Sequence, residues 1–193
     1  MAKLIFEKEL MDYKFQVYDD RPEFKCHEVK QVHGNEVHLI SHEIKEGDAL
    51  VSPHDFKVPL AIKTADCLPI AAIGVQGVAM IHAGWKGLEN KILFDKKISS
   101  LMPTLFFIGP HISENHYEVG QEFTNIFQNQ NNFTHKDGKL YFSLFKEVTN
   151  QILSYYPNSL VLDAGICTFA DENFHSYRLN KTEKRNWNIL VRK

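Results

Sequence analysis

Three residues in this chain carry side chains suited to metal chemistry. They are His33 in Lys30-Gln31-Val32-His33-Gly34, Cys67 in Thr64-Ala65-Asp66-Cys67-Leu68-Pro69, and His82 in His82-Ala83-Gly84-Trp85-Lys86-Gly87. Two imidazoles and one thiolate suit Zn²⁺ in a catalytic site, where three protein ligands leave a fourth position for water or substrate. Such a set points to a type of reaction, which a fold class alone does not.

The elements around them give a reason for two of the three to meet. Leu68 to Ile73, then Gly74-Val75-Gln76-Gly77, then Val78 to Ile81 reads as a β-hairpin with a Gly-rich turn. Folding about Val75 and Gln76 brings Cys67 and His82 to the same end, within about one residue pair of register. His33 must arrive from elsewhere in the fold, by a route the sequence does not show. Each residue also has a plainer reading. Cys67 could be a small core hydrophobe, His82 could bond a backbone carbonyl, and His33 could be a turn residue before Gly34. His38 and His42 are four apart, but Val37 to Ile40 reads as a strand, where such a pair lies too far apart for a close metal site.

Other short apolar runs alternate with helical patterns. Gly47 to Val51, Pro59 to Ile62, Thr104 to Ile108, Ser159 to Leu162 and Trp187 to Val191 read as strands, bounded by Gly, Pro or Asp. Leu88 to Leu101 and Glu118 to Phe127 read as helices. Leu144, Val148 and Ile152 recur every four residues behind Ser143, a suitable N-cap, and define a further long helix. Gln128 to Asn132 reads as a loop. With no repeat, linker or low-complexity tract, residues 1–193 read as one domain of mixed α/β or α+β layers.

Composition narrows the function. The formal net charge is -2 over 193 residues, which argues against a nucleic-acid surface but allows a local basic pocket for a small anion. Three cysteines, Cys26, Cys67 and Cys167, are odd in number and widely spaced, unlike a disulfide framework. No apolar run is long enough to cross a bilayer, and the first residues lack the apolar core of a signal peptide. A reducing cytoplasm fits these features.

The motifs together resemble the YfiH/laccase-domain family, also known as DUF152 or multicopper polyphenol oxidase-like proteins. The matching stretches are the three motifs above with Asp48-Ala49-Leu50-Val51, Ile108-Gly109-Pro110, Tyr117-Glu118-Val119-Gly120, and Cys167-Thr168 with Ser176-Tyr177-Arg178. They run in family order from about residue 30 to 180. The resemblance implies a four-layer α/β/β/α sandwich and a zinc on His33, Cys67 and His82. It also implies phosphorolysis of adenosine, inosine and methylthioadenosine, and deamination of adenosine. An older family label implies copper and polyphenol oxidation.

This chain departs from the pattern at three places. Met1 to Phe24 lacks the Arg- and Gly-rich opening, although Arg21 is present. Lys86 stands where the family often has Arg, and the closing Ser-Tyr-Arg-Arg becomes Ser176-Tyr177-Arg178-Leu179. Arg178, Arg185 and Lys86 are therefore the basic candidates for phosphate, which needs a cationic cluster. Asp66 and Glu118 are the candidate acid/base groups for deamination, in which zinc would activate water for attack on the purine C6. The plain reading of Asp66 is a turn residue bonded to backbone amides. The rivals are a copper-dependent oxidase, a hydrolase with Cys67 as nucleophile, and a metal- or nucleoside-binding protein without catalysis. Chelation separates the metal enzyme from the thiol hydrolase. Ten histidines without a His-x-His pair speak against several copper centres. Oligomeric state stays open.

Overall fold

A computed structural model describes residues 1–193. Thirteen strands run through it in chain order: β1 (Leu4–Leu10), β2 (Tyr13–Tyr18), β3 (Val37–Leu39), β4 (Ala49–Ser52), β5 (Leu60–Thr64), β6 (Leu68–Gly74) and β7 (Val78–Ala83). They continue as β8 (Pro103–Ile108), β9 (Glu118–Val119), β10 (Phe133–Lys136), β11 (Lys139–Phe142), β12 (Leu160–Asp163) and β13 (Asn186–Arg192). The helices are α1 (Trp85–Glu89), α2 (Lys96–Ser99), α3 (Phe123–Ile126), α4 (Leu144–Tyr155) and α5 (Tyr177–Asn180).

The largest sheet has the order β12-β8-β6-β7-β4-β3. Every residue of β6 and β7 is buried. That explains why their sequences are continuous apolar runs rather than alternating ones, since both faces of the strands are covered. The hairpin has the expected register, with Leu68 opposite Ala83, Pro69 opposite His82 and Ile73 opposite Val78.

A second sheet, β1-β2-β13-β5, packs against one face of the first. Here the sequence alternates: Tyr13, Phe15 and Val17 are buried while Lys14, Gln16 and Tyr18 are only partly covered. Phe15 and Val17 from β2, Ile62 from β5 and Leu190 from β13 share a core with Ala71, Met80 and Phe107 of the large sheet. Phe15 meets Phe107 edge-on, with ring centroids 4.9 Å apart. The opposite face of the large sheet is covered by helices, with Leu88, Ile92, Leu144, Val148 and Ile152 packed on Ile70, Ile81 and Phe106. The mixed α/β class stands, and three layers of the implied α/β/β/α sandwich are present in the order helix, sheet, sheet, because no helix packs on the outer face of the smaller sheet. The outer face of the smaller sheet carries Ala61, Trp187 and Ile189 beneath Tyr18 and Cys26. A small sheet, β10-β11-β9, stands at the edge.

Three local expectations change. The segment Leu88 to Leu101 is not one helix. α1 ends at Glu89, Lys91 takes a left-handed φ of 57°, a 3-10 turn covers Ile92–Phe94, and Asp95 caps α2 by accepting the Lys97 amide. The helical spacing of Leu88, Ile92 and Ile98 still serves, because all three face the sheet. Glu118 to Phe127 is also divided, into β9 paired with β11 and then α3 beyond Gly120. The amino-terminal strands β1 and β2 and the β10–β11 hairpin are additions to the elements expected from sequence. That hairpin turns on Asp137-Gly138, both at positive φ, the Asp-Gly signature of a type I′ turn. The helix behind Ser143 forms as expected, with the Ser143 hydroxyl accepting the Lys146 amide.

Candidate metal centre

His33, Cys67 and His82 converge at one end of the β6–β7 hairpin, and their donor atoms all lie within 4.8 Å of one another. No other group of three or more His, Cys, Asp or Glu donors of this kind forms in the chain. His82 is the penultimate residue of β7, and Cys67 directly precedes β6. His33 comes from the loop before β3, and its ring stands edge-on to that of His82 at 4.8 Å. Bonds of about 2.0–2.3 Å to one ion would draw this set together with a small closure.

Asp48 is what brings the distant His33 to the hairpin. It is fully buried at the start of β4. One oxygen bonds His82 Nδ1 at 2.7 Å and accepts the His33 amide at 3.0 Å, while the other accepts the Gly34 amide at 2.7 Å. Fixing Nδ1–H of His82 on a carboxylate leaves Nε2 as the ligand atom, the arrangement common around metal-bound histidines. The same bonds hold His33 at φ 59°, an uncommon conformation for a residue other than Gly. Asp48 lies within one of the matching motifs, but residue type and spacing gave it no role. The signal that could have revealed it is an Asp opening a buried strand, where a charge needs partners.

The electrostatics favour a thiolate. Burial opposes ionisation of Cys67, but the neighbouring His82 charge and hydrogen bonds from His33 and His82 outweigh it, and the thiol falls to about 6. Burial likewise opposes the charged form of His82, yet the Cys67 thiolate and Asp48 raise it to about 9. Asp48 is held below the usual carboxylate range, its burial outweighed by the bonds from His82 and Gly34. A divalent ion would take the place of the shared proton.

Space is also provided. A methyl group on Gly84 would sit 3.0 Å from Cys67 Sγ and 3.8 Å from His33 Cδ2. Gly84 therefore lets the strand end approach the thiolate closely.

A cavity of about 550 Å³ opens onto the triad, and Asp66, Trp85, Tyr117, Tyr177, Arg178 and Arg185 all line it. Asp66 sits at φ 93°, a strained position beside Cys67. Its carboxylate accepts the Thr168 hydroxyl at 2.8 Å and the Arg178 amide at 2.6 Å, the bonded-turn arrangement. Arg178 donates Nη1 to the Glu118 carbonyl at 2.6 Å and lies 4.9 Å over the Tyr117 ring. Burial and then the nearby thiolate push the Tyr117 hydroxyl well above its ordinary range. Glu118 and Lys86 do not line this cavity. The Glu118 side chain is exposed and pairs with Lys139 at 2.8 Å, and Lys86 is exposed over the Trp85 ring. Glu118 thus meets the site through its backbone rather than its carboxylate. Thr168 and Tyr117 also lie within matching motifs, and only the fold shows what they touch. Cys167 is half-buried, with Sγ 3.5 Å from His116 Nδ1 and outside the triad.

Two facing sheets, helices on the larger one, and a His-Cys-His donor set at its strand ends define a mixed α/β protein with a group of side chains that could hold a metal ion. The chain belongs to the family described as multi-copper polyphenol oxidoreductase laccase, whose family model matches residues 15–193. A curated relative from Aquifex aeolicus named purine nucleoside phosphorylase is 33% identical over 72% of this chain and 68% of its own length. One of the same name from Campylobacter jejuni is 31% identical over 83% of this chain and 74% of its own length. The fold matches the crystal structure of a Neisseria meningitidis protein of the DUF152 family model, with a TM-score of 0.83 at 21% identity, covering 100% of this chain and 99% of the other. YlmD from Geobacillus stearothermophilus aligns with a TM-score of 0.74 at 23% identity over 88% of this chain and 73% of its own. No helix is long and apolar enough to cross a membrane.

Proposed function

We propose that this protein is a zinc-dependent purine nucleoside phosphorylase that also deaminates adenosine. The observation that carries the reading is the His33–Cys67–His82 triad at the mouth of a cavity that also holds two guanidinium groups. The names of the relatives support the substrate class.

A zinc ion held by the triad would supply a Lewis acid that polarises a substrate oxygen or activates water. Trp85, Tyr117 and Tyr177 give the cavity aromatic surface on which a planar base can stack. Arg178 binds the attacking phosphate. Its guanidinium is oriented by the Glu118 carbonyl and the Tyr117 face, and its backbone is fixed by Asp66. Both Asp66 oxygens already accept hydrogen bonds, so we assign it the positioning of Arg178. Asp48 sets the tautomer of His82. Phosphate adds to the ribose C1′ as the bond to the base breaks and its electrons go to the base nitrogen, which takes a proton.

One group of donors is the complement of one metal ion, whereas the chemistry in the family's description calls for several coppers. The deciding assay incubates the zinc-loaded protein with inosine or adenosine, with and without phosphate, and separates the products. Phosphate-dependent release of free base is expected, together with inosine from adenosine alone. Oxidation of a phenol by the copper-loaded protein, with no nucleoside turnover, would overturn the reading.

A further inference from the structure

The cavity at the triad is lined by two arginines that no carboxylate neutralises. Lys30, Lys63, Arg178 and Arg185 line it against a single carboxylate, Asp66, in a chain whose formal net charge is -2. Asp66 directs its oxygens at the Thr168 hydroxyl and the Arg178 backbone, so it pairs with neither guanidinium. Lys30 is paired with Glu46 at 2.7 Å and Lys63 with Glu28 at 3.0 Å. The two arginines form no ion pair. Arg178 Nη1 donates to the Glu118 carbonyl at 2.6 Å, and Arg185 Nη1 to the Thr182 and Lys184 carbonyls at 2.9 and 2.8 Å. A carbonyl orients a guanidinium without cancelling its charge. Both arginines are half-buried, and a charge drawn partly out of water calls for a partner.

The two stand on different parts of the wall. Arg178 belongs to α5 and lies over Tyr117. Arg185 directly precedes Asn186, which pairs with Thr64 at the end of β5. Gln31 extends the β5 side by bonding the Lys63 amide and carbonyl, both at 2.7 Å. Arg185, Thr64 and Gln31, with the carboxylate-paired Lys63 and Lys30, thus form one wall on which Arg185 is the unpaired cation, on a different element from Arg178 and its Tyr117 support.

We propose that the pocket takes a purine nucleoside bearing its own 5′-phosphate. The substrate's phosphate binds at Arg185, on the β5 side of the pocket, while inorganic phosphate binds at Arg178. The proposal rests on the phosphorylase reading. In the reaction an oxygen of inorganic phosphate bonds to C1′ and the C1′–N9 bond breaks. Its electron pair goes to N9, which takes a proton, giving free base and ribose 1,5-bisphosphate.

The test compares AMP with adenosine on the zinc-loaded protein, by phosphate-dependent release of adenine and by calorimetric binding without phosphate. AMP is expected to give a kcat/KM and an affinity about tenfold or more above those of adenosine, the gain of one charge-assisted contact. Arg185→Ala should remove that preference and Arg185→Lys should keep most of it; Arg185→Gln replaces the Ala variant if that one fails to fold. Adenosine split as well as AMP, with equal affinities, overturns the two-phosphate pocket and leaves the phosphorylase reading standing. Tight AMP binding that depends on Arg185 without any cleavage supports the second anion site and removes the phosphorylase reading. Equal, weak binding of both compounds overturns the proposal whether or not cleavage occurs.

Discussion

The Asp48 carboxylate joins His82 Nδ1 at 2.7 Å to the backbone amide of His33 at 3.0 Å, so one buried side chain sets two of the three candidate metal donors. The hairpin brings Cys67 and His82 together by register alone, whereas His33 depends on this bond.

Asp48→Asn is therefore expected to lower zinc affinity by about 10–100-fold while the fold persists. Competition with a chromophoric chelator, alongside circular dichroism, reads both quantities. Unchanged affinity in a folded variant would remove Asp48 from the centre.

In the metal-free protein Cys67 and His82 are expected to form a thiolate–imidazolium pair: burial opposes both charges, but the thiol is lowered by the His82 charge and the imidazole raised by the thiolate and Asp48. Thiolate absorbance near 240 nm should rise with a midpoint near pH 6 and be missing in Cys67→Ser. The stability slopes of the two groups oppose each other. Cys67 is lowered, so its contribution is complete above its ordinary value of 9.0 and is lost as pH falls through about 6. His82 is raised, so its contribution is complete below 6.5 and is lost as pH rises through about 9. Metal-free stability should therefore change little between these limits from this pair. A thiol midpoint near 9 would contradict the pairing.

Gly84→Ala places a methyl group 3.0 Å from Cys67 Sγ. The backbone there is extended, at φ -81° and ψ 177°, so the substitution tests crowding rather than conformation. Weaker metal binding with a melting temperature of the metal-free protein near wild type is expected. A large loss of metal-free stability would instead make Gly84 a packing residue.

The β6–β7 register is legible in the amino-acid sequence, because a Gly-rich turn between two apolar runs dictates it, and with it the meeting of Cys67 and His82. The α4 helix follows in the same way from its four-residue spacing and Ser143. What escapes a local reading is nonlocal. β2 and β13 pair across almost the whole chain, and β1 and β2 lie outside the motif-bearing stretch. The spacing through Leu88 to Leu101 correctly marks a buried face, but Asn90, Lys91 and Asp95 carry cap and turn geometry that divides it. Glu118 is an acid/base candidate by residue type alone. Lys139, on the neighbouring strand β11 of the small sheet, turns its carboxylate outward.

Arg178→Ala is expected to slow phosphorolysis by one to two decades, the loss of a charged hydrogen bond of roughly 1.5–3 kcal/mol. Deamination, which uses no phosphate, should suffer less. Steady-state rates for both reactions on one preparation check this. Equal losses with the fold intact would assign Arg178 to nucleoside binding or to the scaffold.

The central claim is that His33, Cys67 and His82 hold the ion on which nucleoside turnover depends. The most direct measurement determines zinc per chain and phosphate-dependent inosine cleavage on the same samples of wild type and Cys67→Ala. One zinc per chain with turnover in the wild type, and loss of most zinc and of cleavage in the folded variant, is the expected result. A Cys67→Ala protein that keeps one zinc per chain, or that cleaves inosine at the wild-type rate, would contradict it.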